Sequence, residues 1–196
     1  GDAEPKAAES CTTHLTVTDK NGMMVAMTTT LLSSMGSRVV LPKSGVLMNN
    51  GVMWFDPRPE AANALAPGKR PLTNMCPVIA AEGDKPVIAT GASGGRRIMA
   101  SVFQMLSFVS DFGMEPGQAA HHPRLDVSAP EGVTADIRLG AETLAALAAE
   151  DEVTEVEHAV LPVNFACPNL IRIGADGLRT GITDVMSPWS AAIAEA

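Results

Sequence analysis

The 196-residue sequence predicts an α+β domain, an antiparallel or mixed sheet with helices packed outside it. Three observations predict it. Strand-like segments open the chain, helical segments fill its middle, and strand-like segments close it. Two alternating runs are joined through Asp19-Lys20-Asn21-Gly22, a strong hairpin signal. One long segment, from Arg96 to about Phe112, repeats apolar residues at helical spacing (Ile98, Val102, Leu106, Val109, Phe112). A layered αββα sandwich fits this order, and so does a plain two-layer α+β domain.

The first ten residues, GDAEPKAAES, are small and polar and read as a linker or tail; lacking an apolar core, they are not a signal peptide. Thr13 to Thr18 alternates as a strand and Met23 to Thr30 returns, which places Thr12 and Thr30 at the same end of one hairpin. Ser33 to Ser44 reads as loop, and Gly45 to Met48 as a short strand entering the turn Asn49-Asn50-Gly51. Phe55 to Lys69 holds Pro57, Pro59, Pro67 and Gly68 and reads as an extended loop. Val78 to Ala81 and Pro86 to Thr90 form a second hairpin around Glu82-Gly83-Asp84. The loop Gly91-Ala92-Ser93-Gly94-Gly95 feeds the long helix, which Gly113 stops. Pro116 to His122 is a short helix ended by Pro123. Val133 to Leu139 and Val153 to His158 read as strands around a helix of good formers, Ala141 to Glu150. Asn169 to Ile173 and Leu178 to Thr183 close the chain as a hairpin around Ala175-Asp176-Gly177.

Composition narrows the function. Net charge is −8 with no basic run, which argues against nucleic acid as a partner. No apolar stretch approaches a membrane span. Cys11, Cys76 and Cys167 lie far apart with no CxxC pair, so they read as free thiols rather than zinc ligands or a disulfide framework. His121 and His122 are adjacent and do not share a helix face, so no metal site is expected. The eleven methionines read as core filler.

The chemistry centres on Ser10-Cys11-Thr12-Thr13-His14. If the Cys11–Thr12 bond is cut, Thr12 owns both a hydroxyl and a free α-amine. Such an amine titrates near ~8 and suits a general base at neutral pH. A hydroxyl beside its own terminal amine is an activated nucleophile that needs no Ser-His-Asp set. The chain runs unbroken through Thr12, so in this form the amine is tied up in a peptide bond. His14 then reads as a structural strand residue, since the amine fills the base's role. The Gly91–Gly95 loop can bring N–H groups to an oxyanion at a helix start, although taken alone such a turn is more often structural. Arg96-Arg97 at a helix start is electrostatically unfavourable and asks for a partner, an acidic neighbour in another subunit or a carboxylate substrate.

Taken together, several stretches resemble the small subunit of the gamma-glutamyltranspeptidase family. They are Thr12-Thr13-His14, Asp19-Lys20-Asn21-Gly22, Thr28-Thr29-Thr30-Leu31, Ser44-Gly45-Val46-Leu47-Met48-Asn49-Asn50, Lys69-Arg70-Pro71-Leu72-Thr73-Asn74-Met75-Cys76-Pro77 and Thr90-Gly91-Ala92-Ser93-Gly94-Gly95-Arg96-Arg97-Ile98. They stand in the family's order and spacing and cover nearly all of the chain from Thr12 on. The resemblance implies a four-layer αββα N-terminal nucleophile hydrolase. It implies a precursor that cuts itself, with residues 1–11 as the pre-cleavage tail and 12–196 as the small, catalytic subunit. Thr12 is then the nucleophile, Thr30 bonds its hydroxyl, and Gly94 and Gly95 form the oxyanion hole. Asn50, Thr73 and Asn74 fall on the substrate side. The implied partners are the large subunit, which supplies an arginine for the substrate carboxylate, and a small amide such as glutathione. No metal or organic cofactor is implied. The compartment stays open, because any export signal would lie on the large subunit.

Two departures bear on the substrate. Leu32 stands where many members carry Asn or Glu. Gly51-Val52-Met53-Trp54-Phe55-Asp56 replaces a Gln/Glu followed by an Asp-Asp pair that binds the α-amino group. An apolar side chain cannot pair an ammonium. Asp56 is the acidic residue of that run left to substitute. The expected reading is an amide-cleaving enzyme with an altered γ-glutamyl pocket, in a divergent branch whose members include acylases of cephalosporin-type side chains. The alternative of another class is a catalytically silent structural or binding subunit.

Overall fold

The computed structural model describes residues 10–195. The expected tail therefore lies, for residues 1–9, outside the described residues. The first hairpin is β1 (Ser10–Thr18) and β2 (Met24–Ser33), paired antiparallel with Thr12 opposite Thr30. Asp19 closes its turn by accepting the N–H groups of Asn21 and Met23 at 2.9 Å each. The main sheet follows: β3 (Val78–Glu82), β4 (Lys85–Ser93), β8 (Cys167–Ile173) and β9 (Arg179–Thr183), in the order β3-β4-β8-β9 and wholly antiparallel.

The β1–β2 hairpin lies against β4 and β8 on one face of this sheet, and α1 (Ile98–Ser110) and α2 (Pro116–His121) pack on the other. Two apolar clusters fill the helix side. Ile88, Met105, Val109, Ala119, Ala120 and Leu170 form one, and Ala92, Ile98, Val102 and Ala166 the other. A smaller sheet at the side holds β5 (Leu125–Asp126), β6 (Val133–Asp136) and β7 (Val153–Val156), with α3 (Ala141–Ala148) as the crossover between the parallel pair β6–β7.

The described residues thus supply hairpin, sheet and helices, three layers of the αββα sandwich. The hairpin is inverted relative to an isolated amphipathic one. Thr16 and His14 face the main sheet, while Val17, Val25 and Met27 on the opposite side are exposed.

Four expectations are corrected. Gly45 to Met48 is not a strand; Val40 and Leu47 make only an isolated bridge, and a 3₁₀ turn spans Gly51–Trp54. Gly91 to Ser93 is not loop, because β4 continues to Ser93 and only Gly94 and Gly95 turn the chain. The long helix begins at Ile98 and ends at Ser110, leaving Phe112 outside it and 70% exposed, while Met105 takes a core position that the spacing did not single out. Val133 to Leu139 breaks at Asp136, whose carboxylate accepts the Arg138 N–H at 2.9 Å and caps a 3₁₀ turn.

Met105 bridges α1 to the sheet beneath, so Met105→Ala should destabilise the fold by about 2–5 kcal/mol. A lower urea midpoint for loss of tertiary structure checks this.

Candidate active site

Thr12 lies near the start of β1, directly opposite Thr30, and their Oγ1 atoms are 2.9 Å apart. Thr30 Oγ1 also accepts the N–H of Leu32 at 2.9 Å. Its own proton is then available to Thr12 Oγ1. Leu32 turns its N–H back in this way by adopting φ +73°, a left-handed conformation that costs a branched residue.

His14, one inward position further along β1, is 9% exposed. Its Nδ1 is 2.7 Å from Thr28 Oγ1. The ring lies flat on the backbone of Gly91: a Cβ there would stand 2.1 Å from His14 Cε1. Glycine is required at 91 for that approach. Burial lowers the His14 pKa to about 4, so the imidazole is neutral at physiological pH. Asn169 on β8 completes the seam. It accepts from Thr16 Oγ1 at 2.9 Å and donates to His14 O at 3.0 Å.

A cavity of about 390 Å³ opens beside Thr12. Its walls include Ser93 at the end of β4, Cys167 opposite it on β8, and Ser187 and Trp189 of the C-terminal segment. Burial raises the Cys167 thiol, which keeps it protonated. The C-terminal wall is anchored by a buried ion pair between Arg124 and Asp184, with His158 Nε2 3.4 Å from the same carboxylate. Burial alone would push Asp184 up, but the hydrogen bond from His158 and the charge and hydrogen bond of Arg124 outweigh it and hold the carboxyl below its usual range.

Gly94 and Gly95 follow Ser93 directly. Gly94 adopts φ +140°, and a Cβ on it would meet Ala166 Cα and Cβ at 2.6 Å, so no other residue fits. Their carbonyls are tied back, Gly95 O by the Asn74 side-chain amide and Gly94 O by Arg97 Nε at 3.4 Å. Arg97 also donates to Val163 O. The partner expected for this arginine is therefore backbone carbonyl oxygen.

The remaining expected site residues fall as follows. Asn74 is brought to the glycine turn. Thr73, exposed beside it, accepts the Met75 N–H at 3.2 Å. Asn50 is brought to the far side of Thr30, where its side chain engages Ser33. Asp56 is held by Arg58 at 2.6 Å, whose hydrogen bonds lower its carboxyl to about 2. Ser93, Cys167, Asn169 and Trp189 were not expected at the site from sequence, Cys167 reading there only as a free thiol and Ser93 only as part of the glycine loop. They reach the cavity only through strand pairing and the return of the C-terminal segment.

A threonine on a hairpin stacked over an antiparallel sheet, with helices beneath and a glycine turn at the sheet's end, defines the N-terminal nucleophile hydrolase fold. The family model described as gamma-glutamyltranspeptidase matches residues 1–191, and the chain belongs to that family. It is 41% identical over 123 residues to the glutathione hydrolase proenzyme of Bacillus subtilis strain 168, covering 62% of this chain and 21% of that protein. The chain thus spans about a fifth of that relative's length. Gamma-glutamyltranspeptidase from Pseudomonas nitroreducens superposes with a TM-score of 0.76 at 26% identity, covering 93% of this chain and 100% of the matched one. Cephalosporin acylase from Bacillus halodurans superposes with a TM-score of 0.81 at 25% identity, over 93% of this chain and 34% of its own.

Two outcomes follow from the seam. Gly91→Ala should lower thermal stability, because either the His14 ring or β4 has to move. The unfolded imidazole titrates near 6.5 and the folded one near 4, so the unfolded state takes up the extra proton between these values. Stability therefore falls as pH drops from 6.5 toward 4, and His14→Gln should lose less over that interval than the parent in thermal melts.

Proposed function

We propose that this chain carries the nucleophile of a gamma-glutamyltranspeptidase-like amidohydrolase, formed when the precursor cuts itself between Cys11 and Thr12. The observation that carries the reading is the Thr12–Thr30 hydroxyl pair at 2.9 Å, on a strand that begins at Ser10, in a member of this family. In self-cleavage, Thr12 Oγ adds to the Cys11 carbonyl carbon and the peptide C–N bond breaks. The acyl group then rests on Thr12 as an ester, and the hydroxyl proton passes to the freed nitrogen, which becomes the amine. Water hydrolyses the ester, leaving a Cys11 carboxylate and a Thr12 terminus.

Turnover repeats the same chemistry on a substrate. The Thr12 hydroxyl proton passes to the α-amine as Oγ attacks the amide carbonyl. The developing oxyanion takes N–H bonds from Gly94 and Gly95, donors of a kind worth on the order of 10²–10³ in rate. Collapse breaks the C–N bond, and the leaving amine takes the proton from the α-ammonium. Water or an acceptor amine then releases the acyl group. Thr73 and Asn74 lie on the substrate side of the glycine turn, and the large subunit completes the pocket. The exposed Val17, Val25 and Met27 face supports such a partner, since among the described residues no helix packs on the outer side of the hairpin.

The acyl group is a γ-glutamyl or related carboxylate-bearing unit. A second reading, an acylase acting on non-glutamyl amides, is favoured by one observation. Leu32 and Trp54, both half-buried, offer no charge for an α-ammonium, and Asp56 is already engaged by Arg58.

Two experiments test this. Thr12→Ala in the full precursor should stay a single uncut chain on a denaturing gel and turn over nothing; maturation and parental turnover by this variant would end the mechanism. A panel of γ-glutamyl and other acyl anilides, offered to the processed heterodimer, separates the two readings. Activity on the second group alone would overturn the glutamyl one.

A further inference from the structure

We propose that Asn50 is a positioning residue: by clamping Ser33 and Leu31 it fixes Thr30 against Thr12 and holds the Cys11–Thr12 bond in place for cleavage. The inference rests on the functional reading above and assigns Asn50 a role different from contact with substrate.

Asn50 holds two residues of the strand end that carries Thr30. Its backbone N–H donates to Leu31 O at 3.1 Å. Its Oδ1 accepts the Ser33 N–H at 3.1 Å, and its Nδ2 donates to Ser33 Oγ at 2.9 Å. The remaining Nδ2 hydrogen reaches Met53 Sδ at 3.0 Å. Both amide hydrogens are thus spent inside the chain, which leaves none for a ligand.

Leu32 lies between the two clamped residues in its left-handed conformation, N–H turned onto Thr30 Oγ1. A strained conformation persists only where its surroundings over-determine it, and here the surroundings are the bonds to Asn50 on either side. Release Asn50, and Leu32 can relax to an extended conformation. Its N–H then swings off Thr30, and the Thr30 hydroxyl is free to rotate away from Thr12.

The same clamp reaches the scissile bond. Ser33 O accepts the Cys11 S–H at 2.9 Å, and Ser33 is the register partner of Ser10. From the Thr12–Thr30 pair to the Ser10–Ser33 pair β1 advances two residues and β2 three, so the extra residue lies on β2, at Leu31–Leu32 opposite Cys11. A bulge re-aims the backbone locally. Here the re-aimed strand is β2, and Leu32 with its positive φ carries the turn that sets Ser33 beside Cys11. Ser33 therefore touches the donor side of the scissile bond through Cys11 and the nucleophile side through Leu32 and Thr30, and Asn50 sets where Ser33 sits.

The test uses the full precursor, with the cleavage half-time read on gels and kcat and KM of the matured heterodimer read with an acyl anilide that the parent cleaves. Asn50→Ala should slow maturation and lower kcat together, each by about tenfold or more, as misplacement of a reacting group does, with KM within about twofold. Asn50→Asp keeps the acceptor for the Ser33 N–H and should recover most of both. A raised KM with parental maturation and kcat would overturn the inference and return Asn50 to the substrate pocket, as would an Asp variant no better than Ala. Should Asn50→Ala prove insoluble, Ser33→Ala, which deletes only the Oγ acceptor, decides: slower maturation with unchanged KM supports the clamp, and parental behaviour overturns it. A parent precursor that neither cuts itself nor turns over any anilide would instead sink the proposed function, and this inference with it.

Discussion

The close seating of one two-stranded hairpin on one sheet sets the rest of this structure. His14 rests on the Gly91 backbone, and Asn169 ties β1 to β8 from the other side. The layer spacing is fixed by a flat aromatic ring against a residue without a side chain, closer than two ordinary side chains would allow. That spacing brings Thr12 to the end of β4, where the chain turns through Gly94 and Gly95 into the helical layer. Were the hairpin lifted, Thr12 and the glycine turn would belong to separate surfaces.

The seam explains an apparent conflict in the hairpin's pattern. Polar Thr16 and neutral His14 point inward, while Val17, Val25 and Met27 point out. Thr16 Oγ1 and His14 Nδ1 find partners there, on Asn169 and Thr28, while His14 Nε2 is buried without one among the described residues. The apolar residues outside belong to a face that none of the described residues covers. The opposite wall of the cavity is more self-sufficient. The buried Arg124–Asp184 pair pins the start of the C-terminal segment, and the segment returns across β9 to line the Thr12 cavity. Losing either partner would strand a buried charge, so this anchor is rigid rather than adaptable.

Strain is concentrated just beyond Thr30. Leu32, Met35 and Arg38 are the non-glycine residues with positive φ among those described, and all follow Thr30 within eight residues. A relaxed extension of β2 would carry the chain past Thr12. The strained strap instead doubles back, meets Asn50 and hands one N–H to Thr30. Local sequence preference is overruled here by hydrogen bonds that only the folded chain provides.

What the sequence by itself determined was local or shared with its family. The Asn21-Gly22 turn and the alternating runs around it set the first hairpin, and that register alone put Thr12 across from Thr30. The ordered motifs from Thr12 to Ile98 sufficed to name the family and its fold class. What only the tertiary structure decided came from contacts far apart in the chain. Gly91 reads as a turn residue in sequence but lies inside a strand, because the reason for the glycine is a ring seventy-seven positions earlier. The parallel β6–β7 pair, the core place of Met105 and the C-terminal wall at Trp189 carry no local signature. Asn50 carries a family signature, but its bonds to Ser33 depend on how the strap folds back. Periodicity reports which way a residue faces along its own element; which element it then meets is settled by packing.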